Sequence, residues 1–147
     1  MFNTFNALRM IRFAAAVGAA LTLAACSSDK AADELNGGAG NDTIDGGDGD
    51  DTFQTQGAES SGDSLQGGDG DDVLANVDTA TAPADLEFAN FVASSNGIET
   101  IDAKNAKIVG TSAANTLDFR TDTTIPTFAT LANVASIEGL GGDDTIY

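Results

Sequence analysis

The chain has 147 residues, a formal net charge of −17, 23 acids against six bases, 17 glycines, one cysteine and no histidine. That length suits one modest domain, and so acidic a surface repels phosphate backbones, which excludes nucleic acid as a partner. Without histidine there is no Ser-His-Asp triad, Cys-His pair or HExxH zinc site, and a single cysteine forms no internal disulfide.

Met1 to Arg12 carries two bases, Arg9 and Arg12, and no acid; Phe13 to Ala25 (FAAAVGAALTLAA) is uncharged and mostly apolar. This run is too short for a bilayer span, which needs about 20 residues, but suits the apolar core of a secretory signal over residues 1–25. It ends in LAAC, Leu23 to Cys26, which resembles the lipobox of bacterial lipoproteins. The resemblance implies cleavage before Cys26, acylation of Cys26 and anchoring through several acyl chains, since one chain alone holds only marginally. Ser27 follows Cys26, which in that family implies release towards the outer membrane or cell surface. All the acids lie beyond this point, with only Lys30, Lys104, Lys107 and Arg120 as bases. Residues 26–36 read as the lipidated cysteine and a short polar tether.

A nine-residue repeat begins at Gly37. GGAGNDTID (37–45) and GGDGDDTFQ (46–54) stand end to end, and GGDGDDVLA (67–75) is a third full copy. AESSGDSLQ (58–66) lacks the early glycines but keeps Asp63 at position six and Leu65 at position eight. Thr55 to Gly57 intervene, so the blocks pair as 37–45 with 46–54 and 58–66 with 67–75. The missing glycines and the insertion are expected to disturb the stacking of the first block on the third. Two further copies are GTSAANTLD (110–118), where Asn115 replaces the aspartate, and GLGGDDTIY (139–147), with Asp144 in place. Position eight is apolar throughout: Ile44, Phe53, Leu65, Leu74, Leu117 and Ile146. A merely solvated Gly/Asp linker does not explain that regularity.

Positions one to six suit a tight turn, where glycine admits positive φ and lets carbonyls crowd inward. The last three suit a short strand whose central side chain points inside. Two blocks make one flat coil, and stacked coils pair their strands in parallel, giving an all-β fold.

The blocks closely resemble the RTX, or hemolysin-type, nonapeptide GGxGxDxUx, which implies a parallel β-roll with calcium between successive turns. That resemblance implies side-chain ligands at Asp42, Asp51, Asp72, Asp63 and Asp144. Carbonyl ligands are implied around Gly37, Gly38, Gly40, Gly46, Gly47, Gly49, Gly67, Gly68 and Gly70. The donor chemistry agrees: every candidate is an oxygen, which suits a large, hard, flexible cation better than magnesium, whereas zinc would want imidazole or thiolate. An EF-hand starting at Asp48 fails because Phe53 stands where glycine must be, and Gly47 and Gly49 never complete GxGxxG because Thr52 takes the third place. Calcium would offset the repulsion of the aspartates and turn binding energy into folding energy. Extracellular modules bind at roughly 0.1–1 mM, so the roll is expected to close after export.

Asn76 to Gly97 breaks the period and reads as an irregular linker around a short apolar element at Leu86, Phe88, Phe91 and Val92. Residues 98–147 return to strand-like segments ending in the last repeat, and their IE steps (Ile98–Glu99, Ile137–Glu138) resemble the calcium-poor coils of large RTX adhesins. Side-chain stacking is expected to replace ions there. Tyr147 fills position nine, where another GG would follow, so either a partner or a second copy covers that edge or a downstream domain continues the chain.

The resulting expectation is a non-enzymatic, calcium-binding, envelope-anchored lipoprotein with a structural or display role. The alternative is the calcium module of a larger secreted adhesin or enzyme. Asp102 and Lys104 are the only neighbours suggestive of acid-based chemistry, and a solvated strand face explains them better.

Overall fold

The computed structural model describes residues 9–12, 22–24, 30–56, 62–122 and 127–147. Cys26 and most of the expected signal lie outside the described residues, as do residues 57–61.

The repeat region opens with β1 (Arg9–Arg12), β2 (Thr22–Ala24), β3 (Asp33–Asn36), β4 (Thr43–Asp48) and β5 (Thr52–Thr55). Next in the chain come β6 (Ser64–Asp69) and β7 (Val73–Asn76). Odd and even strands separate into two sheets: β3, β5 and β7 are neighbours in one, and β2, β4 and β6 form the other. Every pairing in both is parallel. This is the parallel β-roll expected from two short strands per coil.

Register follows the apolar position of each block. Leu35 faces Phe53, Phe53 faces Leu74, Leu74 faces Ile101 and Ile101 faces Leu131. In the second sheet Leu23, Ile44 and Leu65 align. Side chains alternate across a strand, so one residue in two is buried, and Leu35, Phe53, Leu74 and Ile101 are at most 1 % exposed. Each such group stabilises the fold by about 1.5–3 kcal/mol through removal from water.

Two expectations are corrected by this register. The tether of residues 26–36 ends short, because Asp33–Asn36 is the core strand β3; Asp33 and Leu35 keep the spacing of positions six and eight without any glycine before them. The three-residue insertion does not disturb stacking either. The coil step lengthens from 18 to 21 residues, yet β4 and β6 stay aligned from Thr43 opposite Ser64 to Asp48 opposite Asp69. Of the extra residues, Thr55 ends β5 opposite Asn76, and the other two follow that strand.

Residues 76–97 contribute β8 (Leu86–Glu87), β9 (Asn90–Val92) and the one-turn helix α1 (Ala93–Asn96). Leu86, Phe88 and Phe91 enter the same apolar core as the roll. The chain then forms β10 (Thr100–Asp102), β11 (Ile108–Val109), β12 (Thr116–Asp118), β13 (Arg120–Asp122), β14 (Thr127–Phe128), β15 (Thr130–Ala132), β16 (Ile137–Glu138) and β17 (Thr145–Ile146). β10 and β15 extend the first sheet, while β8-β11-β16 and β9-β12-β17 are two further parallel ladders centred on Ile108 and Leu117. Only β13 and β14 pair antiparallel among the described residues. The Arg120 guanidinium binds both oxygens of Asp118, at 2.8 and 2.6 Å, and lies 4.0 Å over the Tyr147 ring. That charge-assisted fork ties the end of β12 to the last coil.

Candidate metal centre

The glycine-aspartate turns place two kinds of oxygen at each junction between coils. Positions two and four take positive φ, as at Gly47 (93°) and Gly49 (129°), a region that L side chains avoid. Position one has a different reason to be glycine. A Cβ on Gly37 would stand 2.6 Å from Oδ2 of Asp42, and one on Gly46, Gly67 or Gly139 would overlap Oδ2 of Asp51, Asp72 or Asp144 in the same way. The first glycine of each block is therefore the space into which its own position-six carboxylate turns.

The other carboxylate oxygen reaches back one coil. Asp51 Oδ1 accepts the Asp33 N–H at 2.8 Å, Asp72 Oδ1 accepts that of Asp51 at 2.8 Å, and Asp63 Oδ1 accepts that of Asp42 at 2.9 Å. Asp144 Oδ1 does the same for Asn115 at 2.9 Å. Hydrogen bonds to a charged acceptor contribute roughly 1.5–3 kcal/mol each, so each of these four aspartates fastens its coil to the one before.

Carbonyls from the following coil complete the pattern. The Gly67 carbonyl oxygen lies 2.7 Å from the place a Gly46 Cβ would take, beside Asp51 Oδ2. Gly97 presents its carbonyl to Gly67 in the same way, and Gly139 to Gly110. Outside this inner row, Lys30, Gly49, Asp50, Asp69 and Gly70 line a cavity of about 260 Å³. Lys30 Nζ stands 4.0 Å from Asp48 Oδ2 and is largely exposed, so it offsets little of the surrounding negative charge.

Among the described residues no three acidic side chains form one cluster. A cation between coils would therefore take one or two carboxylates and several carbonyls, the mixed oxygen shell that calcium accepts and magnesium does not. The structure brings Asp42 with Asp63, Asp51 with Asp72, and Asp144 with Asn115. Reading by glycine content missed Asp33, Glu99 and Gly97. The available signal was an acid two residues before a buried apolar residue, as in Asp33–Leu35 and Glu99–Ile101.

Against known protein families, residues 29–55, 58–75 and 136–147 match the model of the RTX calcium-binding nonapeptide repeat, in four copies. These blocks are RTX repeats. The match starts ahead of Gly37 and so takes in the coil of Asp33 and Leu35. No curated protein and no solved structure matches the chain. RTX repeats are a calcium-binding structural module rather than a catalytic one.

At the last full RTX block burial pushes Asp72 from 3.8 to about 6, helped by the neighbouring charges of Asp51, Glu99 and Asp50 and opposed by the Asp51 N–H. The folded state thus binds a proton more readily than the unfolded chain. Its stability without calcium is expected to rise as pH falls from 7 towards 4, and to be lost as pH climbs through 6. Asp78 and Asp118, held low by their hydrogen bonds, titrate below that window. Thermal melts in calcium-free buffer at pH 7 and pH 5 check the sign; a lower melting temperature at pH 5 would contradict it.

Gly67→Ala is expected to destabilise the fold by at least ~1–3 kcal/mol, the usual cost of overpacking. Its Cβ would overlap both Asp72 Oδ2 and the Gly97 carbonyl. A denaturant melt equal to wild type would show that the carboxylate does not hold that space.

Proposed function

We propose that this chain is an exported RTX β-roll that binds calcium at its coil junctions and serves as a rigid structural or display element on the cell envelope, anchored by lipid at Cys26. One observation carries the calcium reading: at Gly46 the Asp51 carboxylate and the Gly67 carbonyl of the next coil converge on one point, with the Asp72 carboxylate alongside. Asp42 with Asp63 is the corresponding position on the other sheet. Bound calcium would supply the positive charge that lets these acids sit together; the glycines keep the space open and the strands fix the spacing. The anchor reading rests on the LAAC sequence after the apolar run of residues 13–25.

A calcium titration of the purified chain, followed by circular dichroism and calorimetry together, tests this. Calcium at roughly 0.1–1 mM is expected to raise β content and melting temperature, with magnesium ineffective. Heat without structure would make the chain an acidic buffer, and silence up to ~10 mM, beyond the range of extracellular modules, would remove the reading. Labelled palmitate is expected to enter the wild type and not Cys26→Ser; equal labelling would refute the anchor.

A further inference from the structure

Asp33, Asp51 and Asp72 form a ladder in register along the first sheet, and that ladder does not stop at the last glycine-aspartate block. Val73 faces Thr100, so the residue opposite Asp72 is Glu99, and Glu99 Oε2 accepts the Asp72 N–H at 2.8 Å. This repeats the bond from Asp51 N–H to Asp72, with glutamate in the aspartate's role. The carbonyl role is repeated as well: Gly97 presents its oxygen at Gly67 beside Asp72 Oδ2, as Gly67 does at Gly46 beside Asp51. The turn is shorter here. Gly97 ends α1 in the left-handed conformation, φ 61°, its N–H bonded to Ala93, and so delivers its carbonyl two residues before the acid.

We propose that a further divalent-cation site lies at this junction, formed by the Asp72 carboxylate, the Gly97 carbonyl and the Glu99 carboxylate, and that it takes a hard, oxygen-seeking cation of calcium's class. The site extends the array one coil beyond the RTX blocks and rests on the calcium reading of those blocks.

Three observations favour a cation there over a polar contact. Asp72 is fully buried, and its Oδ2 has no hydrogen-bond partner, a costly state for an ionised carboxylate unless it is compensated. Among the described residues the charged side chains acting on it are acids, Asp51, Glu99 and Asp50. The contrast at the equivalent junction near Gly110 is informative: there Asn115 replaces the aspartate, and its Nδ2 donates to the Ala89 carbonyl at 2.5 Å. The oxygen that stands at Gly110 beside the Gly139 carbonyl, Asn115 Oδ1, accepts the Thr111 N–H, a donor that Asp72 Oδ2 lacks. The ladder then ends, because the residue aligned beyond Glu99 is the buried Ala129. Glu99 leads directly into β10, which carries β15, so a cation here makes the C-terminal coils respond to calcium along with the repeats.

The test compares the full wild-type chain with Glu99→Gln by native mass spectrometry and calcium calorimetry. Glutamine keeps an oxygen for the Asp72 N–H and removes only the charge. The variant is expected to hold one calcium fewer, or to bind one class of ion at least tenfold more weakly. An unchanged ion count and affinity would reduce Glu99 to a backbone cap and overturn the proposal. Hydrogen exchange on the wild type is independent of the variant's folding. Calcium is expected to protect amides 97–102 together with 33–55 and 64–76; protection of the repeats alone would sink the proposal and leave the RTX reading standing. No calcium response anywhere would remove both.

Discussion

Phe53→Ala is expected to destabilise the roll by about 3–5 kcal/mol, the usual cost of truncating a buried aromatic side chain. Phe53 is 1 % exposed and stands between Leu35 and Leu74 in the central strand of the sheet. Its ring is the largest fully buried side chain in the core. The cavity would sit where two coils meet, and a parallel ladder of short strands has little freedom to collapse around it. Domains of this size have only about 5–15 kcal/mol of stability in total, so the loss is a large share of it. The calcium dependence of the melt separates packing from ligation. Saturating calcium stabilises by mass action and is expected to raise the melting temperature of variant and wild type alike, leaving the gap between them. A gap that closes with calcium would mean that the ions, not the apolar ladder, hold neighbouring coils in register.

The apolar ladder and the position-six acids were legible in the sequence because both are local regularities. Position eight recurs at fixed distance from an aspartate, and alternation alone then assigns its side chain to the interior. What depends on the neighbouring coil was not legible. Gly37, Gly46 and Gly67 look like turn residues, yet their Cα atoms face a carboxylate from their own block and, at Gly46 and Gly67, a carbonyl from the next coil. Asp33 was hidden because no glycine precedes it, although its strand pairs with β5 like any other. Glu99 was hidden twice, by its longer side chain and by a turn shortened through α1. The strands of residues 86–92 are two or three residues long, too short for periodicity to distinguish strand from helix. Their partners β11 and β12 lie more than twenty residues further along the chain.

Asn115→Asp is expected to make the C-terminal coils dependent on calcium. Asn115 is 4 % exposed and uses both ends of its amide. Oδ1 accepts the Thr111 N–H at 2.6 Å, and Nδ2 donates to the Ala89 carbonyl and to Thr111 Oγ1. Aspartate keeps the acceptor and replaces the donor with a second anionic oxygen aimed at the Ala89 carbonyl. It also sets a new charge beside Asp144, whose Oδ1 already accepts the Asn115 N–H. A buried charge without its counterpart costs about 3–5 kcal/mol, so in calcium-free buffer the variant is expected to melt well below wild type. The same change gives residues 110–118 the position-six aspartate that the RTX blocks carry, with the Gly139 carbonyl already in the place that Gly67 and Gly97 occupy elsewhere. Calcium is then expected to recover much of the loss and to add one bound ion per chain. Recovery by calcium and not magnesium would show that the hydrogen bonds of an amide and the binding of an ion are exchangeable ways of holding a buried side chain at a coil junction. A variant that stays destabilised at saturating calcium would show that the geometry around Gly110 has drifted too far from the repeats to hold an ion.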